Sequence, residues 1–250
     1  METCPTGIRG LDDLMNGGFP KGRVILLIGG PGSGKTILAA QFLYKGIKDH
    51  KENGIFVSLD ESRNHFYSEM EPFGWDFAEA EGKKFAFINA TRATSASMLK
   101  EELYKEDSRA LRGKQLPVET LVDEIRQKIG SYDAKRVVVD TLTAMFYRFP
   151  DPVERRTAVV DLIQALSDLN TTTLITTELG YLGLERSVLE EEYLVHGVVM
   201  MQTLFSEGTT TRALQIEKMR GTKVNPNLVP YTIDRNGIEV YPNMPLFGEK

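Results

Sequence analysis

Residues 29–36 read GGPGSGKT and come directly after an apolar run at 24–28. Gly29, Gly34, Lys35 and Thr36 fill the pattern GxxxxGK[ST], which forms a phosphate-binding loop where it joins a strand to a helix. Glycine lets backbone amides approach phosphate oxygens, lysine supplies a mobile cation, and the threonine hydroxyl can bind Mg²⁺. An ordinary glycine-rich turn is the alternative. The pattern therefore predicts a nucleoside triphosphate site, formed by Gly30, Pro31, Gly32, Ser33, Gly34, Lys35, Thr36 and Ile37.

A second apolar run, at 137–139, ends at Asp140. In phosphate-loop enzymes an aspartate at the end of a strand helps to hold the magnesium ion. We therefore expect Thr36 and Asp140 to form the Mg²⁺ site, with Asp140 acting through a water molecule. The alternative is that Asp140 only caps the segment after the strand.

Two adjacent carboxylates, Asp60 and Glu61, follow a third apolar run at 54–59. Ligands of open α/β sheets bind at the carboxyl ends of strands, so Glu61 is our candidate for polarising an attacking water. Neighbouring strand residues point to opposite faces, and Asp60 can share this role only if the strand has already ended. Both join Lys35 as candidate catalytic residues. A solvated acidic turn is the alternative.

Two basic residues, Lys218 and Arg220, lie next to Gly221. In a strand their spacing of two places both side chains on one face. They are either solvated charges at a sheet edge or groups that reach the phosphates of a neighbouring subunit, where an arginine finger raises turnover by roughly 10³ to 10⁵. The residues alone favour the solvated edge.

The polar run Thr176-Thr177-Glu178 ends another predicted strand. A polar group there can sense the γ-phosphate and pass its state to the following loop. The high β propensity of threonine explains the same run without any function, and the residues alone favour that explanation.

The elements that must hold these residues alternate between strand and helix. Apolar and β-branched runs predict strands, and amphipathic spacing between them predicts helices. After Gly197 the helical spacing ends, and strands joined by turns such as Asn236-Gly237 follow. The fold class is therefore α/β, with a mostly parallel central sheet flanked by helices and a C-terminal antiparallel extension. The predicted strands are 24–28, 54–59, 85–88, 136–140, 171–177, 198–205, 212–219 and 231–233. The predicted helices are 37–48, 62–71, 118–129 and 153–169, and one or two helical turns are predicted at 8–15.

The composition is that of an intracellular globular protein. At 250 residues with 41% hydrophobic residues, the chain can form one domain, 1–250, and the charged stretch 91–117 reads as a surface insertion. A net charge of −5 argues against nucleic-acid binding driven by overall charge. Cys4 is the single cysteine, and no apolar stretch suits a signal peptide or a membrane span. We expect a cytoplasmic protein without a membrane partner.

Several motifs together resemble the KaiC-like branch of the RecA superfamily of ATPases, as a single-domain member. The resemblance covers nearly the whole chain, and its combined motifs are far more specific than the phosphate loop alone. They are PTGIRGLDDLMNGGFPKG at 5–22, GGPGSGKT at 29–36, FVSLDES at 56–62, FGW at 73–75, VVVDTLT at 137–143, TTLITTE at 172–178, EKMRGT at 217–222 and PYTIDRNGIEVYP at 230–242.

This resemblance implies a RecA-like P-loop NTPase fold, ATP and Mg²⁺ as ligands, and a homo-oligomeric ring, usually a hexamer, with ATP between subunits. Lys35 and Thr36 would act on ATP in their own subunit, and Glu61 matches the second catalytic glutamate of the family. Lys218 and Arg220 match the basic pair that reaches the γ-phosphate of the neighbour, which reverses the preference for a solvated edge.

The chain departs from the family pattern at three points. Asp60 stands where members often carry glutamate. Val224 and Arg235 replace polar or acidic residues that contact the nucleotide in the clock protein, so base or ribose contacts can differ. A single such domain gives no basis for transferring the phosphorylation cycle of the tandem clock protein.

Three functions remain open. The first is a ring-forming, slowly hydrolysing ATPase that drives conformational change in the loops after Asp140 and Glu178. The second is a nucleotide-dependent interaction protein or autokinase that uses 91–117 as a docking surface for an unidentified client. The third is a DNA-binding recombinase relative with a channel formed by 146–156 and 179–196, supported by Arg148, Arg155, Arg156 and Arg186 and opposed by Glu185, Glu190, Glu191 and Glu192.

Overall fold

The computed structural model describes residues 2–90, 118–179, 181–182, 185–186, 189–206 and 208–246. The expected insertion at 91–117 lies outside the described residues. Strands within them are β1 Thr3–Cys4, β2 Phe19–Pro20, β3 Val24–Gly29, β4 Asn53–Ser58, β5 Phe85–Asn89, β6 Ala134–Asp140, β7 Thr172–Glu178, β8 Tyr181–Leu182, β9 Glu185–Arg186, β10 Gly197–Ser206, β11 Thr209–Met219, β12 Val229–Asp234 and β13 Gly237–Val240.

Helices lie between most of these strands. The α-helices in the described part of the chain are α1 Lys35–Asp49, α2 Arg63–Met70, α3 Phe77–Ala80, α4 Val118–Tyr132, α5 Ala144–Arg148, α6 Pro152–Asp168 and α7 Glu191–Leu194. Short 3₁₀ turns occur at Asp12–Met15 and Glu71–Phe73. None of the described helices is both long and apolar enough to cross a membrane.

One large sheet has the strand order β13-β12-β11-β10-β3-β7-β6-β4-β5. The strands from β10 to β5 in this order are parallel to their neighbours. Strands β11, β12 and β13 continue the sheet in antiparallel pairs. This arrangement confirms the predicted parallel sheet with its antiparallel extension, and it brings the carboxyl ends of β3, β4, β6 and β7 to one edge.

Hydrophobic cores cover both faces of the sheet. Alternate residues of β3 face opposite sides, so Ile25 and Leu27 pack with α1 and the aromatic cluster around Phe66, whereas Leu26 and Ile28 pack with α4 and α6. A strand buried on both faces needs a continuous apolar run, and β3 could therefore be predicted from the sequence.

The predicted and observed elements differ mainly at their ends. Helix α1 begins two residues earlier than expected, at Lys35, and the predicted helical turns at 8–15 shorten to a 3₁₀ turn. Gly10 explains the shortening, because its φ of 78° lies in the left-handed region and interrupts a helix before Asp12. Strand β13 was missed, although its turn at 236–237 was predicted, because only four residues form it.

Candidate nucleotide site

The turn between β3 and α1 contains the phosphate-binding loop predicted at 29–36. Gly32 and Gly34 have φ of 72° and 92°, values in the left-handed region that favours glycine. Apart from its chain neighbours, a Cβ atom on Gly30 or Gly32 would meet no atom of the described residues within 4 Å, so they leave this side of the loop open. The Lys35 ammonium donates to the carbonyls of Gly29 (2.9 Å) and Gly30 (3.1 Å) and therefore lies over the loop.

Polar groups of this loop suit a phosphate. The amides in the first turn of α1 lack intrahelical acceptors, as at every helix start, and the helix dipole favours an anion there. Ser33 Oγ is buried and has no hydrogen-bond partner among the described residues. The pKa of Lys35 is lowered by burial, while the charges of Asp140 and Glu178 oppose that shift. The donor set thus suits phosphate oxygens.

Asp140 joins the loop to the end of β6. Its carboxylate accepts a hydrogen bond from Thr36 Oγ1 at 2.8 Å and another from the Thr176 hydroxyl at the end of β7. Its exposed fraction is 7%, and burial raises its pKa against the opposing effects of these two hydroxyls and of Lys35. A hydroxyl and a carboxylate in contact are oxygen ligands of the kind that Mg²⁺ prefers.

Thr176 is a site residue that sequence reasoning undervalued. Its β-branched side chain explained it as an ordinary strand residue, yet its hydroxyl bonds to Asp140. The signal was the order of the strands: β7 is the neighbour of both β3 and β6. That order depends on pairing between distant segments and could not be read from a threonine run.

Asp60 and Glu61 lie just beyond β4, which ends at Ser58. The Glu61 amide donates to Ser58 Oγ at 2.8 Å, and the amide of Leu59 donates to the Asp140 carbonyl at 2.7 Å. These bonds tie the carboxylate turn to β6. Since the strand has already ended, its alternation no longer forces the two carboxylates to opposite faces.

The pKa values of both carboxyl groups are raised towards neutral pH. Partial removal from water and then the charge of Asp140 raise the pKa of Asp60 to about 6. Burial, followed by the charges of Glu69, Asp60 and Asp140, raises the pKa of Glu61 to about 7, with His65 opposing the shift. A carboxylate with such a pKa can accept a proton near neutral pH.

Lys218 and Arg220 lie far from the phosphate loop of their own chain. Lys218 pairs with Val198, which pairs with Leu26, so it is three residues back along β3 from Gly29. This offset is about 10 Å along the strands, and that of Arg220 is larger. Their side chains bond to consecutive carbonyls at α7: Lys218 to that of Glu192 (2.6 Å) and Arg220 to that of Tyr193 (3.2 Å).

A groove of about 790 Å³ lies beside the loop, on the antiparallel extension. Two of its lining residues touch the loop: the Tyr231 hydroxyl donates to the Ser33 carbonyl at 2.6 Å, and a Cβ on Gly34 would lie 2.6 Å from Ile233 Cδ1. Its other lining residues include Arg212 and Tyr241. This groove could not be predicted from the sequence, because β12 meets the loop only in the folded sheet.

The arginines proposed for a DNA channel make contacts within the chain. Arg148 donates to the carbonyl of Ala90 (2.7 Å), and burial lowers its pKa to about 10. Arg155 stacks on Phe146, and Arg156 pairs with Glu190 at 2.9 Å. The side chain of Arg186 lies outside the described residues.

Comparisons with known proteins agree on one family. The family model described as "ATPase: KaiC" matches residues 4–244. A UPF0273 protein of Methanocaldococcus jannaschii is 34% identical over 97% of this chain and 98% of its own length. The circadian clock protein KaiC2 of Synechocystis is 30% identical over 96% of this chain, which spans 40% of that protein.

A solved structure is also similar. The crystal structure of a KaiC-like protein from Pyrococcus horikoshii is 31% identical, with a TM-score of 0.80, and the match covers 96% of this chain and 99% of that one. The likeness over the full length of a solved relative confirms the expected RecA-like fold. Together with the family model, it shows that this chain belongs to the KaiC family of RecA-like ATPases.

Proposed function

We propose that residues 1–250 act as one domain that hydrolyses ATP at interfaces between copies of this chain, arranged in a hexameric ring. The observation that carries this proposal is the 2.8 Å contact between Thr36 and Asp140, which joins the phosphate loop to the end of β6. Family membership supports nucleotide binding. Hydrolysis by this member, and the sharing of the site between subunits, are the proposed steps.

Residues of one chain form most of the proposed site. The loop amides and Lys35 bind the phosphates, and Thr36 with Asp140 holds Mg²⁺, Asp140 through water. Mg²⁺ held by these residues would supply positive charge beside the phosphate oxygens. Glu61 orients the attacking water and accepts its proton, and Asp60, with its lower pKa, keeps this acidic turn charged.

Lys218 and Arg220 complete the site of a neighbouring copy. Their offset of about 10 Å or more from the loop of their own chain supports action across an interface. Both side chains donate to backbone carbonyls of α7, contacts that phosphate oxygens can replace. We propose that they stabilise the charge that develops on the γ-phosphate.

The groove beside the loop suits the nucleoside. Ile233 and Tyr241 offer apolar and aromatic surface for a base, and Arg212 offers a donor. Val224 and Arg235 replace nucleotide-contacting residues of the clock protein. Val224 packs against the hydrophobic core, whereas Arg235 is exposed. We therefore assign base recognition to the groove.

Loops after β6 and β7 are suited to report hydrolysis. The Thr141 hydroxyl (3.1 Å) and the Leu142 amide (2.9 Å) both donate to the Thr176 carbonyl. The Glu178 amide donates to Thr143 Oγ1 at 3.2 Å. Since Thr176 also bonds to Asp140, a change at the metal site reaches both loops through direct hydrogen bonds.

Phosphate release and light scattering on the full chain test this proposal. The wild type should release phosphate in a Mg²⁺-dependent manner and form larger assemblies with ATP. Lys35→Ala should lose hydrolysis, because the ammonium over the loop is gone. A monomer whose size is independent of nucleotide would contradict the shared site.

Two further measurements distinguish the other candidate functions. ATP labelled at the γ-phosphate yields labelled protein from an autokinase and free labelled phosphate from an ATPase. Titration of single-stranded DNA at low salt tests the recombinase alternative. We expect no binding, because Arg148, Arg155 and Arg156 are engaged within the chain.

A further inference from the structure

One side of the segment around α2 carries Glu61, His65 and Glu69 at intervals of four residues. Each offers one ligand atom, and the three atoms lie within 4.8 Å of one another. The Nδ1 of His65 is 3.9 Å from Glu61 Oε1, and its Nε2 is 3.6 Å from Glu69 Oε1. An imidazole thus lies between two carboxylates.

The start of α2 produces this convergence. Ser62 caps the helix by accepting a hydrogen bond from the His65 amide at 3.4 Å. Glu61 therefore lies just before the helix, whereas His65 and Glu69 lie one turn apart on the same side of it.

Among the residues that the structure describes, neither carboxylate has a lysine or arginine within 4.0 Å. Within the described residues, His65 is the only basic side chain within 4.0 Å of either Glu61 or Glu69, and the nearby Arg63 pairs with Glu81 at 3.3 Å. The charge of Glu69 helps to raise the pKa of Glu61, which means that the two carboxylates repel each other. A bound cation would relieve this repulsion.

We propose that Glu61, His65 and Glu69 bind a late first-row divalent cation, with Zn²⁺ as the representative. One imidazole nitrogen and two carboxylate oxygens are ligands of Zn²⁺, and water completes a tetrahedral site. Ligand atoms around tetrahedral Zn²⁺ lie roughly 3.3 Å apart, so a closure of about 1.5 Å is needed. Rotation of these partly exposed side chains provides it, because 62% of His65 and 42% of Glu69 are exposed.

Metal binding here has a consequence for hydrolysis, which rests on the function proposed above for Glu61. A cation that takes the Glu61 carboxylate as a ligand prevents it from accepting a proton from water. Zn²⁺ would thereby inhibit the ATPase reversibly, at a site different from that of Mg²⁺ at Thr36 and Asp140. Mg²⁺ would not occupy the new site well, because it prefers oxygen ligands and retains its waters.

The binding step is tested on the full chain without nucleotide or Mg²⁺. Zn²⁺ is titrated against a chromophoric chelator, and Co²⁺ absorption reports the ligand geometry. The wild type should bind Zn²⁺ at this site with micromolar affinity. His65→Gln and Glu69→Gln should each weaken binding by about tenfold or more. His50→Gln, a change at another exposed histidine, should leave the affinity unaltered. Equal Zn²⁺ affinity of wild type and His65→Gln would overturn the site.

The inhibition step is measured separately at saturating Mg²⁺ and ATP. Zn²⁺ should reduce phosphate release by the wild type, a chelator should restore it, and His65→Gln should resist inhibition at the same Zn²⁺ concentration. If His65→Gln abolishes Zn²⁺ binding but Zn²⁺ does not change hydrolysis by the wild type, the metal site is confirmed and the assigned role of Glu61 is wrong. If Zn²⁺ inhibits both proteins equally, inhibition through this site is wrong.

Discussion

Thr36 and Asp140 are separated by 104 positions in the chain and are joined by a hydrogen bond of 2.8 Å. One belongs to the first turn of α1 and the other ends β6. Thr176 bonds to the same carboxylate from the end of β7. The contact therefore connects the phosphate loop to both strands whose following loops are proposed to respond to hydrolysis.

Removal of the Thr36 hydroxyl should impair Mg²⁺ binding and leave the fold intact. Thr36→Val keeps the shape of the side chain but loses the ligand oxygen, so Mg²⁺-dependent hydrolysis should fall by about 100-fold or more. Thr36→Ser retains the hydroxyl and should keep most of the activity. The measurement is phosphate release against Mg²⁺ concentration. Similar activity of Thr36→Val and Thr36→Ser would contradict the assigned metal ligand.

Two inactive variants should restore each other if the site is shared. Lys35→Ala disables the phosphate loop, and Lys218→Ala with Arg220→Ala should reduce turnover by about 10³-fold or more. Coexpression in equal amounts should recover activity, because about a quarter of head-to-tail interfaces then combine an intact loop with an intact basic pair.

The control for this mixture is Lys83→Ala with Lys84→Ala. These lysines are exposed before β5, and their removal makes the same change in net charge. This variant should keep wild-type turnover by itself. If the mixture of the two inactive variants stays inactive although light scattering shows mixed assemblies, Lys218 and Arg220 do not act across the interface.

Hydrolysis should depend on pH through Glu61. Its pKa is raised to about 7, so the carboxylate that accepts a proton is the minor form below that pH. Turnover at saturating ATP should increase as the pH rises from 6 to 8, with a midpoint near 7. Glu61→Gln should lose most activity and show no such rise. Asp60→Asn serves as the comparison, since it removes a charge that raises the pKa of Glu61 and should move the midpoint below 7 while the rise with pH remains.

The same shift predicts an effect on stability with the opposite sign. The folded pKa of Glu61 lies above its ordinary value of 4.5, so ionisation destabilises the folded state as the pH rises from about 4.5 to about 7. Glu61→Gln removes this penalty. Its Tm should exceed that of the wild type by about 2–4 °C at pH 8 and match it at pH 4. Equal Tm values at both pH values would argue that Glu61 is not desolvated.

The Tyr231 hydroxyl should stabilise the loop from the groove side. Tyr231→Phe leaves the Ser33 carbonyl without this 2.6 Å partner, which should lower the free energy of unfolding by about 1–3 kcal/mol and weaken nucleotide binding. Tyr241→Phe removes the same atom from an exposed contact with Thr232 and should change stability by less than about 0.5 kcal/mol. Denaturant unfolding of both variants compares them.

Much of the fold was predictable because its signals are local. The run at 24–28 is apolar at every position, as a strand buried on both faces requires. The motif GGPGSGKT is typical of a phosphate-binding loop between a strand and a helix. Strand β13 has only four residues, and no local pattern separated it from its turn. The predicted turns at 8–15 shortened to the 3₁₀ turn Asp12–Met15 because Gly10 adopts a left-handed φ of 78°.

The sequence by itself determined the types of chemical group and the elements that carry them: a phosphate loop, carboxylates after strands and a basic pair near a turn. Tertiary structure decided which of them meet. Strand order brought Thr176 to Asp140, and strand register separated Lys218 from its own loop. These outcomes depend on pairing and side-chain direction between distant segments, which local residue patterns do not encode.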